Sequence, residues 1–511
     1  MFVRTHAAAL LGIDAVPVTV EVHIGSGGVG LHLVGLPDSA VKESEQRIRA
    51  AFENSGERMS GRKVVVNLAP ADLRKEGAGF DLPIAAGILA AMGRIEADGL
   101  DETMICGELS LDGSVRPVRG VLSLALAARE AGLRRMILPR ESAAEAAVVE
   151  GPAVYGVATL REAIDLLNGT RALEPTRAEA LPTDPHDAPA APYAEDFADV
   201  RGQQRAKRAL EIAAAGGHNV LLIGAPGSGK TMLARRLPTI LPPLTLDEAL
   251  ETTRIHSVAG LRRDSGLLRQ RPFRAPHHTA SQAALIGGSQ PPCPGEVSMA
   301  HNGVLFLDEL PEFGRSALET LRQPLEDRAS VVARAGYRIR YPADFTLVAA
   351  MNPCPCGYHG HPTRCCTCPP GTVHRYRNRI SGPLLDRIDL QIEVAPLDPA
   401  ELQGAAAGEP SAAIRERVVR AREVQRRRFE GIDGCRTNAR MTAPLVERFC
   451  PLDAPCERLL ERAMRELELS ARACDRIRKV ARTIADLADR ERIEPIDIAE
   501  AIGYRRLDRP R

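Results

Sequence analysis

Eight consecutive residues near the middle of the chain have the composition and spacing of a phosphate-binding loop. They follow the apolar run 219–223, precede a helical pattern over 232–237, and read Gly224-Ala225-Pro226-Gly227-Ser228-Gly229-Lys230-Thr231. Glycines let consecutive backbone N–H groups curl round an anion, and a helix N-terminus adds its positive dipole. The pattern predicts an ATP site in which Lys230 reaches the β- and γ-phosphates and the Thr231 hydroxyl binds Mg²⁺. The alternative is a plain glycine-rich turn.

A second apolar run, 303–307, ends in the two carboxylates Asp308 and Glu309. A buried parallel strand would place them at its C-terminal end, where open α/β sheets bind ligands. Asp308 is predicted to complete the Mg²⁺ shell, and Glu309 to polarise the attacking water. Many core strands end in acids, but together with the phosphate loop this pair indicates nucleotide hydrolysis.

Two further polar positions follow. Asn352 ends the apolar run 345–351, where an amide at a strand tip can hold the attacking water or sense the γ-phosphate; capping of the next turn is the alternative. Arg387 lies in the segment 380–389, and a guanidinium suits the spread charge of phosphoryl transfer. The segment resembles the place where ring ATPases offer an arginine to the γ-phosphate of the neighbouring subunit, which implies that role for Arg387, with Arg379 as second choice. Pairing with Asp386 or Asp389 is the alternative.

Five cysteines lie within residues 354–368. The two C-x-C pairs could supply four thiolates for tetrahedral Zn²⁺, and their members are Cys354, Cys356, Cys366 and Cys368. His359 and His361 are alternative ligands, and Cys365 would be a spare. Reduced thiols without metal are the other possibility. The remaining six cysteines are scattered and read as small apolar fillers.

Local basic segments are candidates for contacts with DNA. Residues 331–341 look like a hairpin, and its candidate DNA-contacting residues are Arg334, Tyr337, Arg338 and Arg340. Arginines on such a loop could track phosphates, and Tyr337 could stack on a base, although a hairpin facing water is the alternative. Residues 254–279 hold six arginines and one acid. Residues 415–428 hold seven arginines and two glutamates, and a solvated or inter-subunit helix is favoured there.

Bulk composition limits the class of protein. The 511 residues are too many for one core and predict about three domains. A net charge of +1 gives no global attraction to nucleic acid, so any basic surface must be local. No apolar run reaches the ~18 residues of a membrane span, and the first residues lack a signal-peptide layout. A cytoplasmic protein without a membrane partner is expected, where disulfides are rare.

Four regions follow from the pattern of elements. Residues 1–168 alternate strands and helices as an α+β domain, with paired strands at 18–23 and 30–34, a helix over 38–55 and a hairpin turning at Asp112-Gly113. Residues 169–194 are a proline- and alanine-rich linker. Residues 195–397 form an α/β core with a parallel sheet. Residues 398–511 hold the basic helix and further helices.

The first domain resembles the proteolytic domain of Lon-type proteases. The resemblance rests on the runs 75–81, 107–109 and 115–120. It implies a Lon-protease/ribosomal S5-like fold. The family's serine nucleophile would fall at about Gly79 and its lysine at about Leu122. Neither residue supplies a nucleophile or a base, so the domain is predicted to lack peptidase activity.

The later regions are similar to AAA+ ATPases of the magnesium-chelatase branch. The segment 469–485 resembles the second sensor of the helical lid, so Arg472 is expected to touch the γ-phosphate, while Arg476 and Arg482 are expected on a solvated face. With the Lon-like domain and the run 352–357, the whole chain resembles the ComM/YifB family of bacterial magnesium-chelatase-like proteins. In related motors the hairpin projects into a central pore.

That resemblance implies a hexameric, ATP-driven motor on DNA, described for the family as a branch-migration helicase in natural transformation. Single-stranded and branched DNA are the expected partners. The alternative is a chelatase-like or remodelling ATPase that acts on a protein partner. An ATP-dependent protease is excluded by the residues at Gly79 and Leu122.

Overall fold

The computed structural model describes residues 1–177, 193–261, 266–288, 292–334, 337–396 and 408–505, without the side chains of Arg334 and Tyr337. Most of the predicted linker 169–194, and the predicted boundary at 397–398, lie outside the described residues. None of the helices in these ranges is long and apolar enough to cross a membrane.

The N-terminal domain is built on a seven-stranded mixed sheet in the order β3-β4-β2-β1-β5-β8-β9. Its strands, together with the separate hairpin β6–β7, are β1 Phe2–Leu11, β2 Asp14–Gly25, β3 Gly30–Val34, β4 Lys63–Ala69, β5 Thr103–Ile105, β6 Glu108–Leu109, β7 Val115–Arg116, β8 Arg135–Pro139 and β9 Ala153–Val157. Its helices are α1 Ser39–Lys42, α2 Ser44–Asn54, α3 Asp81–Ala91, α4 Val121–Glu130, α5 Arg140–Ala146 and α6 Leu160–Leu167. Helix α3 is buried along its whole length, as expected for a helix that is apolar all round.

Two local expectations for this domain need correction. Strands β2 and β3 do not pair with each other, because β4 lies between them and pairs with both. The single helix expected over 38–55 is two helices that meet at Glu43, and Asp38 caps the first by accepting from the Val41 N–H at 2.8 Å. The hairpin around Asp112-Gly113 is confirmed by the antiparallel pairing of β6 and β7.

The central region contains a five-stranded parallel sheet in the order β11-β12-β15-β10-β16. Its strands, with the separate hairpin β13–β14, are β10 Val220–Ile223, β11 Phe273–Arg274, β12 Val304–Leu307, β13 Ala329–Arg334, β14 Tyr337–Pro342, β15 Thr346–Met351 and β16 Leu390–Glu393. Its helices are α7 Gln204–Gly216, α8 Lys230–Ile240, α9 Leu246–Val258, α10 Gln282–Ile286, α11 Glu296–Met299, α12 Arg315–Thr320, α13 Arg322–Asp327, α14 Pro370–Arg377 and α15 Gly382–Leu385. Because the strands are parallel, the ends of β10, β12 and β15 meet at one edge.

The C-terminal region is helical, with α16 Ser411–Arg428, α17 Ala443–Phe449, α18 Ala454–Leu467, α19 Ala471–Leu487 and α20 Pro495–Ile502. Of the two expectations for α16, a fully solvated helix is wrong, and an inter-subunit helix stays a prediction. Ile414, Val418 and Ala421 are buried in the core that α16 shares with α7, α8 and α19. Apolar residues at helical spacing decided this packing, while arginines occupy the remaining faces.

The N-terminal domain packs directly on the ATPase region. Arg254 of α9 donates to the Asp14 carboxylate at 2.6 Å and to the Ile13 carbonyl oxygen at 3.2 Å. Ile13 also shares a small buried cluster with Ile339 of strand β14. The turn between β1 and β2 is therefore one of the contacts between the two parts, and α4 packs beside α9 in another.

Candidate functional site

The phosphate loop connects the end of β10 to the start of α8, as the sequence predicts. Gly227 and Gly229 adopt φ values of 77° and 90°, a left-handed conformation that glycine tolerates best. Gly224 lies against β16, because a Cβ atom there would be 2.5 Å from the Val394 carbonyl oxygen. The Ser228 hydroxyl is buried without a hydrogen-bond partner among the described residues. Glycines at these positions are thus required by backbone shape and by close packing.

Lys230 is held at the centre of the loop. Its ammonium donates to the Gly224 and Ala225 carbonyl oxygens at 2.7 and 3.0 Å and to Asn352 Oδ1 at 3.2 Å. Burial lowers the pKa of Lys230, and the nearby carboxylates of Asp308 and Glu309 oppose that shift. The structure therefore brings Lys230 and Asn352, which are 122 residues apart, into direct contact.

Thr231 and Asp308 form the second contact across the edge. The Thr231 hydroxyl donates to Asp308 Oδ2 at 2.8 Å. A hydroxyl and a carboxylate oxygen side by side fit Mg²⁺, which prefers a few oxygen ligands and retains several waters. These two residues would hold the ion next to the loop.

Glu309 follows Asp308 at the tip of β12 and turns its side chain away from the core. Its φ of 52° is left-handed, and its carboxylate is half exposed. Sequence reasoning missed His278, whose Nδ1 lies 3.4 Å from Glu309 Oε2 and whose ring packs edge-on against Phe313. No local pattern in the sequence indicates this contact, because β11, the strand four residues before His278, is only two residues long. His278 is therefore placed to orient the Glu309 carboxylate.

The two candidate arginines for a neighbouring subunit have different surroundings. Arg387 is only 7% exposed, pairs with Glu326 and donates to the Pro383 carbonyl oxygen. Its partner is thus neither Asp386 nor Asp389, the two aspartates of the alternative interpretation. The Arg379 side chain is 54% exposed and pairs with Glu312 at 2.9 Å. Within one subunit, Arg379 is the more accessible of the two.

The lid helix α19 places its arginines unequally. Arg472 is exposed in the first turn, after the Ser470 cap. The solvated face expected for Arg476 and Arg482 is wrong. Arg476 pairs with Asp389, whose pKa is lowered chiefly by this arginine against the opposing effect of burial. Arg482 is buried and pairs with Asp486 within the same helix at 3.0 Å. Arg476 therefore joins the lid to the ATPase core, and Arg482 stabilises the lid itself.

Three family models match consecutive parts of the chain. "Subunit ChlI of Mg-chelatase" matches residues 20–142, "Magnesium chelatase, subunit ChlI" matches 196–402, and "Magnesium chelatase, subunit ChlI C-terminal" matches 408–505. The uncharacterized protein YifB of Salmonella typhimurium is 46% identical over 508 residues, 99% of this chain and 97% of that protein. The competence protein ComM of Haemophilus influenzae is 46% identical over 506 residues, with the same coverage.

The chain belongs to the ComM/YifB family of magnesium-chelatase-like proteins. Its likeness to a true chelatase subunit is more limited. The magnesium-chelatase 67 kDa subunit of Chlorobaculum parvum is 31% identical over 163 residues, which is 31% of this chain and 23% of that protein. The similarity to ComM and YifB proteins thus extends over nearly the full length of the chain. The AAA+-type fold predicted from the sequence is confirmed.

The cysteine loop of this ComM/YifB chain brings four thiols together. The sulfur atoms of Cys354, Cys356, Cys366 and Cys368 all lie within 4.8 Å of one another. Tetrahedral zinc with bonds of about 2.3 Å requires sulfurs about 3.8 Å apart. The Cys354–Cys366 and Cys356–Cys366 separations are both 3.6 Å. The four residues therefore fit a zinc ion.

The other candidate ligands of this loop are not part of that group of four. His361 Nδ1 accepts from the backbone N–H of Thr363 at 3.2 Å, and His359 and Cys365 are exposed. The loop also contacts the phosphate loop, since a Cβ at Gly357 would lie 2.5 Å from Pro226 Cδ. Sequence reasoning missed this contact, because it depends on how two distant loops pack.

The hairpin β13–β14 exposes Arg338 and Arg340, whereas its turn at 335–336 lies outside the described residues. Tyr341 is fully buried, and its hydroxyl donates to the Pro292 carbonyl oxygen at 3.1 Å. Ile339, between the two arginines, is buried against the N-terminal domain. One face of the strand is therefore anchored while the other carries the arginines.

The basic segment 254–279 is used largely for internal contacts. Arg271 donates to Glu248 at 2.8 Å and to carbonyl oxygens of Pro242, Pro243 and Asn302. Arg274 binds Glu296 through two hydrogen bonds of 2.7 Å. With Arg254 bound to the N-terminal domain, these three arginines are committed to holding the fold; Arg262 and Arg263 lie outside the described residues.

The Lon-like cleft of the first domain holds no activated group among its described lining. Gly79 lies at a cavity of about 670 Å³, and Leu122 is fully buried in α4. Burial raises the pKa of the Cys106 thiol, which also lines the cavity, to about 12. Arg338 and Ile339 of the hairpin form part of its wall. The cleft is thus bounded partly by the ATPase region.

Proposed function

We propose that this chain is an ATP-driven motor on DNA, working as a hexameric ring that promotes branch migration during natural transformation. The main support for this proposal is the edge of the ATPase sheet, which brings together the groups that ATP hydrolysis with Mg²⁺ requires. These groups are Lys230, Thr231, Asp308, Glu309 and Asn352. The relative from Haemophilus influenzae is a competence protein, which supports a role in natural transformation.

In this proposal Glu309 activates water, Asn352 and Arg472 sense the γ-phosphate, and Arg379 or Arg387 completes the neighbour's site. Arg334, Tyr337, Arg338 and Arg340 would contact DNA from the hairpin. Arg338→Ala with Arg340→Ala should weaken DNA binding and flatten its salt dependence, because each lost phosphate contact reduces counterion release. Arg420→Ala, on the outer face of α16, is the matched control. Unchanged affinity and salt slope would remove the hairpin from the proposal.

The second candidate is a remodelling ATPase that acts on a protein partner. It is favoured by the commitment of Arg254, Arg271 and Arg274 to internal contacts, which leaves less basic surface than the sequence indicates. The deciding experiment measures ATP hydrolysis without DNA and with single-stranded, duplex and branched DNA, followed by unwinding of the branched substrate. Stimulation by branched DNA and unwinding are expected; stimulation confined to a protein partner would select the second candidate.

We also propose that Cys354, Cys356, Cys366 and Cys368 hold a structural zinc ion. When bound, zinc would brace the loop that Gly357 presses against the phosphate loop. Metal analysis of the purified protein should find one zinc per chain, and Cys366→Ser should lose it while the exposed Cys365→Ser retains it. A trace of zinc alone in the unaltered protein would contradict the assignment.

A further inference from the structure

A second polar cavity lies at the edge of the ATPase sheet opposite the phosphate loop. Gly303 and Thr346, at the N-terminal ends of β12 and β15, line it. Its volume is about 80 Å³. A water occupies roughly 10–15 Å³ on this measure, so the cavity has room for one small polyatomic ion.

The cavity has more positive than negative groups. Four arginines and two acids line it: Arg271, Arg422, Arg436, Arg440, Glu248 and Asp344. Arg271 pairs with Glu248 at 2.8 Å, and Arg440 pairs with Asp344. Both carboxylates are therefore already bound, and Arg422 and Arg436 have no direct ion pair among the described residues.

Arg422 is the most costly of these charges. Its Nε and Nη2 atoms both donate to one acceptor, the Ala214 carbonyl oxygen, at 3.0 and 2.7 Å. Burial, and next the charge of Arg271, lower the pKa of Arg422 to about 10. The charges of Glu248 and Asp344 oppose this shift, but neither carboxylate forms an ion pair with Arg422. A buried guanidinium without a directly bound anion is unfavourable.

Thr437 is a second, independent indication that a ligand binds in the cavity. This residue lines the cavity and is only 8% exposed, and its hydroxyl has no hydrogen-bond partner among the described residues. It precedes the short 3-10 helix Asn438–Arg440 but makes no capping bond with its side chain. Gly217 packs beside it, since a Cβ there would lie 2.9 Å from Thr437 Oγ1. Buried hydroxyl groups normally form hydrogen bonds, so this hydroxyl, which lies beside arginines, indicates an acceptor bound in the cavity.

We propose that this cavity binds one tetrahedral oxyanion of the phosphate class. Arg422 and Arg436 would neutralise it, and the Thr437 hydroxyl would donate to it. The lining residues come from the ATPase core, from α16 and from the segment leading to the lid, so the ion would join these three parts. This site is separate from the nucleotide edge and does not depend on the proposed action on DNA.

The test uses the full chain carrying Lys230→Ala, which removes phosphate binding at the phosphate loop. Calorimetric titration with sodium phosphate, against sodium chloride at equal ionic strength, should detect one site per chain. Arg436→Gln and Thr437→Val should each weaken phosphate binding about tenfold, the effect of losing a hydrogen bond to a charged group. Arg420→Gln is the control, because Arg420 is an exposed arginine of α16, the helix that carries Arg422, and the change should leave phosphate binding unchanged.

Thermal unfolding of each variant without phosphate verifies that the fold is retained. Absence of phosphate binding in the Lys230→Ala protein, or equal affinity in all variants, would overturn the proposal. A single-stranded oligonucleotide then distinguishes the sources of the phosphate group. Displacement of phosphate by the oligonucleotide, sensitive to Arg436→Gln, would identify nucleic acid as the source. Undisturbed phosphate binding would identify a free ion.

Discussion

The nucleotide edge of the ATPase sheet and the cleft of the N-terminal domain both contain glycine-rich loops beside buried helices. At the nucleotide edge, Lys230 and Thr231 each contact a polar side chain from another strand tip. At the cleft, Gly79 lies where the Lon resemblance puts a nucleophile, and hairpin residues line the wall. Leu122, at the place of the base, is fully buried in α4. A fold can therefore keep its loops and its packing, while its chemistry depends on a few side chains.

The difference between the two regions also concerns what each one contacts. The phosphate loop is packed against the cysteine loop through Gly357 and Pro226. The cleft is packed against the hairpin through Gly12 and Ile339. The phosphate loop and the hairpin are thus each packed against a segment that is distant in the chain.

The largest effect is expected from Lys230→Ala. The change removes the ammonium that contacts Gly224, Ala225 and Asn352, so ATP hydrolysis and ATP-driven work on DNA should fall below detection. The N-terminal fold should be intact, because the cleft shares no residue with the phosphate loop. Steady-state ATPase assays and circular dichroism check both parts, with the exposed Lys42→Ala as control. Retained unwinding by Lys230→Ala would show that the loop is misassigned.

The second largest effect on ATP hydrolysis is expected from Glu309→Gln. Loss of a general base typically costs about 10²–10⁴ in rate, while the amide preserves shape and ATP binding. The single-turnover rate of ATP hydrolysis should therefore fall, while the affinity for ATP should be unchanged. The exposed Glu461→Gln in α18 is the control. A parallel loss of ATP affinity would mean that Glu309 acts in binding instead.

Gly357→Ala compared with Gly360→Ala isolates the contact between the cysteine loop and the phosphate loop. Both glycines have left-handed φ, of 87° and 77°, but only Gly357 faces a neighbour, Pro226. Gly357→Ala should reduce ATP affinity, by about tenfold if the displaced loop costs near 1.4 kcal/mol. Gly360→Ala should bear only the backbone cost. Equal ATP affinities in the two variants would show that this contact does not position the loop.

Gly12→Ala compared with Gly56→Ala tests the contact at the cleft. Both have left-handed φ, of 69° and 78°, and each change should cost roughly 1–2 kcal/mol for that reason. A Cβ at Gly12 would also lie 2.5 Å from Ile339 Cγ2, which adds an overpacking cost of about 1–3 kcal/mol. Denaturant unfolding measures the difference. Identical free energies of unfolding would argue against tight packing of the hairpin here.

The smallest effect is expected from Gly79→Ser, which puts a hydroxyl near the place of the missing nucleophile. Leu122 remains an apolar residue in the buried core of α4, so no base activates that serine. ATP hydrolysis should match the unaltered protein, and a fluorescent casein assay should show no cleavage. Peptide cleavage by this variant would reveal a base that the sequence comparison missed.

Much of the nucleotide edge is predictable from the sequence because its chemistry is local. A strand, a glycine loop and a helix in succession identify Gly224–Thr231, and an apolar run ending in two acids identifies Asp308 and Glu309. The solvated face expected for Arg476 and Arg482 is wrong for the opposite reason. An arginine has the same place in a helical pattern whether its partner is water or a buried acid, and Asp389, the partner of Arg476, lies 87 residues away in the chain.

Sequence alone thus determined the family, the phosphate loop, the strand-end acids and the cysteine spacing, since each depends on residues close together. Only the tertiary structure decided the pairing of β4 between β2 and β3, the contact of His278 with Glu309, and the burial of Arg387. It also placed the hairpin against the first domain and Gly357 against Pro226. The physical reason is that burial and pairing belong to surfaces formed by distant segments, and no local pattern encodes which segments meet.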